Sequence, residues 1–156
     1  MLIQLIAGSS VSVVNIMIHA LATVGAIGAA RLAGRGRASW PRLHLMRVMV
    51  TIVLLLMLAH MVEIAVWSLF YAWVQAAPEG SDLLYFAFVN YTTLGYGDVT
   101  PVKAWQLVGP MAAMNGILMF GWSTAVLFEV LRKTLELRVS FSPADRGLRA
   151  AADREG

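Results

Sequence analysis

The sequence predicts an all-α membrane protein with three spanning helices and one short re-entrant helix between the second and third. Three observations carry that expectation. Of 156 residues, 59% are hydrophobic and only 13% charged, a balance too apolar for a soluble domain whose surface must be polar. Three apolar stretches are each long enough to cross a hydrocarbon core of about 30 Å at about 1.5 Å rise per residue. Basic residues crowd one connection between them, as they do at the cytoplasmic ends of membrane spans.

The first stretch, residues 1–30, contains no charge and is expected to form an N-terminal transmembrane helix. Its "AIGAA" has the small residues of a leader-peptide cleavage site, but the basic segment that opens a leader is missing. Asn15 and His19 stand at i, i+4, and Ala22, Ala26 and Ala30 form a row of small residues. Both patterns are expected to face protein rather than lipid. Residues 31–44 make a connection that holds Arg31, Arg35, Arg37 and Arg42, with Arg47 just beyond, and no acid. Gly34, Gly36 and Pro41 interrupt any helix there. This loop is expected in the cytoplasm, with the amino terminus outside and the carboxyl terminus inside.

The second span is expected over 45–76. His60 and Glu63 share one of its faces at i, i+3. An acid inside a membrane tends to be neutralised or paired. That leaves three readings of the pair: a hydrogen-bonded structural role, proton-sensitive gating, or a metal site that His19 joins from another helix. Trp67, Tyr71, Trp73 and Trp105 fall where an outer aromatic belt belongs, and Trp40 where an inner one does.

Residues 82–98 are too short to span and too polar at their end. "DLLYFAFVNYTT" reads as a short helix that dips into the membrane and returns as extended backbone, which at that depth must be buried in protein or line water. The third span, over 105–131, carries Gly116 and Gly121 midway. Glycine there lowers helix propensity by about 1 kcal/mol and permits bending, which makes both candidate gating hinges. Close helix packing is the alternative, and Pro110 is expected to add a kink. Residues 132–156 begin basic and turn polar and small, as in "SPADRGLRAAADREG". They read as a cytoplasmic tail without a packed core.

The remaining segment, "YTTLGYGDVTP", places glycines at alternate positions. Gly95 and Gly97 admit positive φ without a Cβ clash, so alternate peptide units can turn successive carbonyls the same way. Here "TLGYGD", Thr93 to Asp98, resembles the selectivity filter of potassium channels. The resemblance extends over 45–131, which has the order of a pore-only channel: outer helix, pore helix, filter, inner helix. It covers about half the chain and leaves the first helix unexplained.

The resemblance implies a homotetramer in the plasma membrane that conducts K+ passively and makes or breaks no bond. It implies K+ bound by Thr93, Leu94, Gly95 and Tyr96, with Gly97 completing the filter and no other cofactor. Thr92, Tyr85, Phe86 and Asp98 would support it, with the Tyr96 ring wedged against Tyr85 and Phe86 and Asp98 bonded toward Tyr85. Leu94 stands where the family usually has valine or isoleucine, and Val89 where some members carry an acid. A weakly selective cation channel and a non-conducting subunit or sensor on the same fold stay open as other readings. With no cysteine in the chain there is no thiolate ligand or nucleophile. The formal charge of +3 sits beside membrane spans, so the partners expected are K+ and lipid, not nucleic acid.

Overall fold

In the computed structural model the described residues are 1–34 and 41–140, and among them the chain is all-helical with no strand. Helix α1 is Leu2–Gly34, α2 is Pro41–Val74, α3 is Leu83–Tyr91 and α4 is Val108–Ser140, with a single 3-10 turn at Lys103–Trp105 ahead of α4. Three of these helices are long and apolar enough to cross a membrane. At 34 residues, α2 is about 50 Å long, more than a hydrocarbon core needs, so it tilts or projects. The arginines at 35 and 37, Trp40 and the tail beyond 140 lie outside the described residues.

The short helix α3 owes its start to Asp82. This residue takes an extended backbone, and its carboxylate accepts from the amides of Leu84 and Tyr85, both at 3.0 Å. These are two of the donors that any helix N-terminus leaves unpaired. At nine residues, α3 reaches about 13 Å and cannot span. It sits in a loop whose ends are tied together: Val102 donates its amide to the Ala76 carbonyl at 2.8 Å. Chain that enters after α2 therefore leaves beside it, on the same side. α2 itself ends in a left-handed residue, Gln75 at φ 52, while the Ala76 amide reaches back to the Tyr71 carbonyl at 3.0 Å. This is a Schellman-type closure made without glycine.

Two buried clusters hold the helices. One joins Ile64, Trp67, Phe70 and Tyr71 of α2 to Phe86 and Tyr91 of α3 and to Val108, Met111 and Met119 of α4. The other joins Ala26 of α1 to Val48, Ile52 and Leu56 of α2 and Val126 and Val130 of α4. α1 lies along the seam between α2 and α4, presenting Gln4, Gly8, Asn15, His19 and Ala26 as one buried stripe. At Gly8 a Cβ would come within 2.6 Å of the Met111 sulfur, so the end of that flexible side chain would have to move aside. Of the small-residue row, Ala26 is fully buried.

Several expectations are corrected. Trp67 and Tyr71 are not belt residues: both are fully buried, and Trp67 donates to Asn115 at 3.1 Å. The face of α2 that carries them turns toward α3 and α4, whereas Trp73 points outward, 81% exposed. Pro110 is the third residue of α4, where backbone amides have no intrahelical partner, so it breaks no hydrogen bond and needs no kink. α2 begins at Pro41 rather than 45, and Pro is well suited to a first helical turn. α4 runs on to Ser140, nine residues past the expected end at 131. Glu129 helps it do so through ion pairs to Arg132 and Lys133, both 2.9 Å, at i, i+3 and i, i+4.

Candidate functional site

Two features draw the polar residues together: the segment 92–98 that follows α3, and a cluster buried where all four helices meet.

Segment 92–98 is anchored at its start by the carbonyls that end α3. Thr92 gives both its amide, at 3.0 Å, and its hydroxyl, at 2.7 Å, to the Phe88 carbonyl. Thr93 donates to Asn90 at 3.0 Å, and Leu94 and Gly95 donate to Val89 at 3.0 and 3.3 Å. With these amides bound inward, φ is positive at Thr93 (63°), Gly95 (59°) and Gly97 (80°), every second residue. Two of the three are glycines, which adopt this conformation freely. Thr93 is not, and a β-branched residue held there is strained. Among the described residues no backbone hydrogen bond is accepted by the carbonyls of Thr93 to Gly97. The whole stretch from Thr92 to Asp98 is exposed on the single chain.

Asp98 closes the segment. The Tyr85 hydroxyl donates to its carboxylate at 2.7 Å, linking the first turn of α3 to the far end of the loop. That bond holds the Asp98 carboxyl below the usual carboxylate range and pushes the Tyr85 phenol up. Phe86, one residue on, turns away from the loop. It is buried against Tyr71 of α2 with ring centroids 5.0 Å apart, whereas Tyr96 is 68% exposed. Among the described residues no ring contact joins Tyr96 to Phe86, so within one chain the expected wedge is absent. Successive helical residues point about 100° apart, and only Tyr85 of the two faces the loop.

Gly116 lies where α4 meets the end of α3. A Cβ at this position would overlap the Tyr91 carbonyl, so glycine is required for close approach. Of the two readings expected for Gly116, this contact supports close packing. Gly121 has open space around it.

The second feature is a set of polar side chains that each span contributes from its inner face. Glu63 is fully buried, with His19 of α1 at 2.8 Å from one carboxylate oxygen. His60 lies 3.2 Å from the other, to which the Tyr91 hydroxyl also donates. Ser123 of α4 contacts both imidazoles. One level away, Asn15 donates to Asn115 at 3.0 Å and to the Glu63 carbonyl at 3.3 Å. Sequence reasoning singled out His60, Glu63, Asn15 and His19 but missed Tyr91, Asn115 and Ser123. Asn115 and Ser123 are spaced i, i+8, on one face of α4, and this was the signal that they share an interior direction.

The comparisons agree with this geometry where they speak. Residues 57–133 match a family model described as an ion channel. No curated protein and no solved structure matches the chain. The matched residues take in the second half of α2, all of α3, segment 92–98 and α4 as far as Lys133, so the chain, with three helices long and apolar enough to cross a membrane, is a multi-pass membrane protein whose residues 57–133 resemble an ion-channel domain.

Proposed function

We propose that the protein is a potassium-selective channel in which four copies surround one axis and segment 92–98 of each supplies a quarter of the filter. The observation that carries this reading is the alternation of positive φ at Thr93, Gly95 and Gly97, together with carbonyls left without backbone partners. Backbone that alternates in hand turns successive carbonyls toward one side. Rings of such oxygens replace the water around a dehydrated cation. One chain offers only one side of each ring and leaves the segment exposed, which is why further copies are required. The C-terminal end of α3, with its partial negative charge, leads directly into the segment and favours a cation. Asp98, bonded to Tyr85, adds an acid at the outer end.

The arginine-rich first connection supports a cytoplasmic position for that loop, and in this orientation the filter opens to the outside. Conduction is passive, and no bond is made or broken.

Reconstitution in liposomes tests the proposal. A potassium gradient should drive flux that an equal sodium gradient does not, and Gly95→Asp should abolish it. Equal fluxes of the two ions would replace the reading with a poorly selective cation channel.

A further inference from the structure

We propose that His19, His60 and Glu63 form a site for a borderline divalent transition metal, of which zinc is the type, with the Tyr91 hydroxyl in the fourth position. The site would bridge α1, α2 and the end of α3, and it is independent of which ion the filter passes.

Ser123 Oγ is 3.2 Å from His19 Nε2 and 3.0 Å from His60 Nε2, and a hydroxyl has one proton and two lone pairs. If both rings are protonated at Nε2, Ser123 accepts from both, and each contact is a hydrogen bond. Both Nδ1 lone pairs then face Glu63: His19 Nδ1 is 2.8 Å from Oε1 and His60 Nδ1 is 3.2 Å from Oε2. His60 Nδ1 is also 3.0 Å from the Tyr91 hydroxyl, which itself touches Oε2. Two imidazole lone pairs and a carboxylate converging on one point are a donor set for a cation.

Spacing and chemistry agree with that assignment. The three side chains offer ligand atoms that all lie within 4.8 Å of one another. Bonds of about 2.0–2.1 Å in a tetrahedron set neighbouring donors about 3.3 Å apart, close to the 2.8 and 3.2 Å separations already present. Imidazole with carboxylate and no thiolate suits zinc, cobalt or iron rather than a soft ion. Ser123 then plays the part of the outer hydrogen-bond acceptor that commonly fixes the ring orientation of metal-binding histidines. Burial matters as well: Glu63 and His19 are fully inaccessible and His60 nearly so, and an ion there would compensate a carboxylate that the membrane interior otherwise penalises.

The test uses the full chain, purified in detergent and stripped with chelator. Equilibrium dialysis should find a single Zn2+ per chain, and Co2+ should give the intense visible absorption of a four-coordinate site. Glu63→Gln and His19→Gln should lose both signals, whereas His44→Gln, a histidine away from the cluster, should keep them. Ser123→Ala should retain binding with affinity lowered about 10–100-fold. Zn2+ should also raise the melting temperature of the unaltered protein, since a ligand bound only by the folded state stabilises it. Failure of the unaltered chain to take up Zn2+ would overturn the proposal and leave the cluster held by protons alone. Uptake that survives His19→Gln, or that His44→Gln removes, would overturn it too. Because the first of these readings needs no variant, misfolding of a substituted chain does not obscure the outcome.

Discussion

At the scale of single residues, the two mid-helix glycines of α4 behave differently. Replacing Gly116 by alanine forces a methyl group into the Tyr91 carbonyl, and overpacking of this kind costs about 1–3 kcal/mol. Gly116→Ala should therefore lower the thermal midpoint in detergent. Gly121→Ala meets nothing and, by helix propensity, should leave the midpoint unchanged or raise it slightly. Equal midpoints for both variants would count against the close approach of α3 to α4. Sequence gave both glycines the same two readings, because propensity cannot reveal which one another backbone touches.

Asp98 provides a second residue-scale expectation. Its carboxyl titrates below the usual range because Tyr85 donates to the charged form. A group whose folded pKa is depressed contributes stability above its ordinary pKa and loses it as pH falls through the depressed one. The tie between α3 and the outer end of segment 92–98 should thus persist at neutral pH and be lost only in acid. Tyr85→Phe should move the Asp98 titration upward, measured by the carboxyl infrared band or by the external pH at which conduction changes. No movement would show that the bond does not set the titration.

At the scale of elements, α1 is the helix whose role was least legible. Its length and apolar composition marked a span, and the small-residue row marked a face, but nothing in the sequence named its partners. The structure shows that Gln4 fastens its N-terminal end: the side-chain amide donates to the Ala104 carbonyl at 2.5 Å and accepts from the Leu107 amide at 3.1 Å. These bonds reach the 3-10 turn that leads into α4, across about a hundred residues of sequence. Gln4→Ala takes this partner from the half-buried Leu107 amide and the carbonyl of exposed Ala104, at about 0.5–1.5 kcal/mol per bond. Hydrogen exchange at Leu107 should quicken in that variant, and unchanged exchange would mean the clamp is not formed.

The elements that local pattern does define were read correctly in kind and less well in extent. Asp82 ahead of an apolar run marked the start of α3, and the three apolar stretches gave the spans. The missed portions depended on rotation about a helix axis. Trp67 and Tyr71 resemble interfacial aromatics by depth alone, yet they face inward, and Asn115 supplies the acceptor that a buried indole requires. The polar cluster is the same case: each span contributes one or two polar groups, and only packing decides that His19, His60, Glu63, Tyr91 and Ser123 meet.

At the scale of the whole molecule, a single chain is unfinished. Large apolar side chains cover the outside of all three long helices, Leu94 and Tyr96 among the exposed residues of the segment between them. Lipid accounts for the first set, since no water is there to avoid. It does not account for segment 92–98, whose exposed carbonyls accept no backbone hydrogen bond and which, under the proposed function, further copies complete around a cation. Its glycine spacing and alternation were legible in the sequence. That Thr93 joins the alternation was not, because a β-branched residue at positive φ is strained and becomes acceptable only when amides on both sides are bound to the end of α3.

The most direct test of that account is the reversal potential of current through the reconstituted protein in a planar bilayer, with potassium on one side and an equal concentration of sodium on the other. A filter of carbonyl rings predicts a reversal at a potential strongly negative on the potassium side, the potential that holds potassium back, and loss of current in Gly95→Asp. A reversal near zero, with current that Gly95→Asp still carries, would show that ions do not pass through segment 92–98 as proposed.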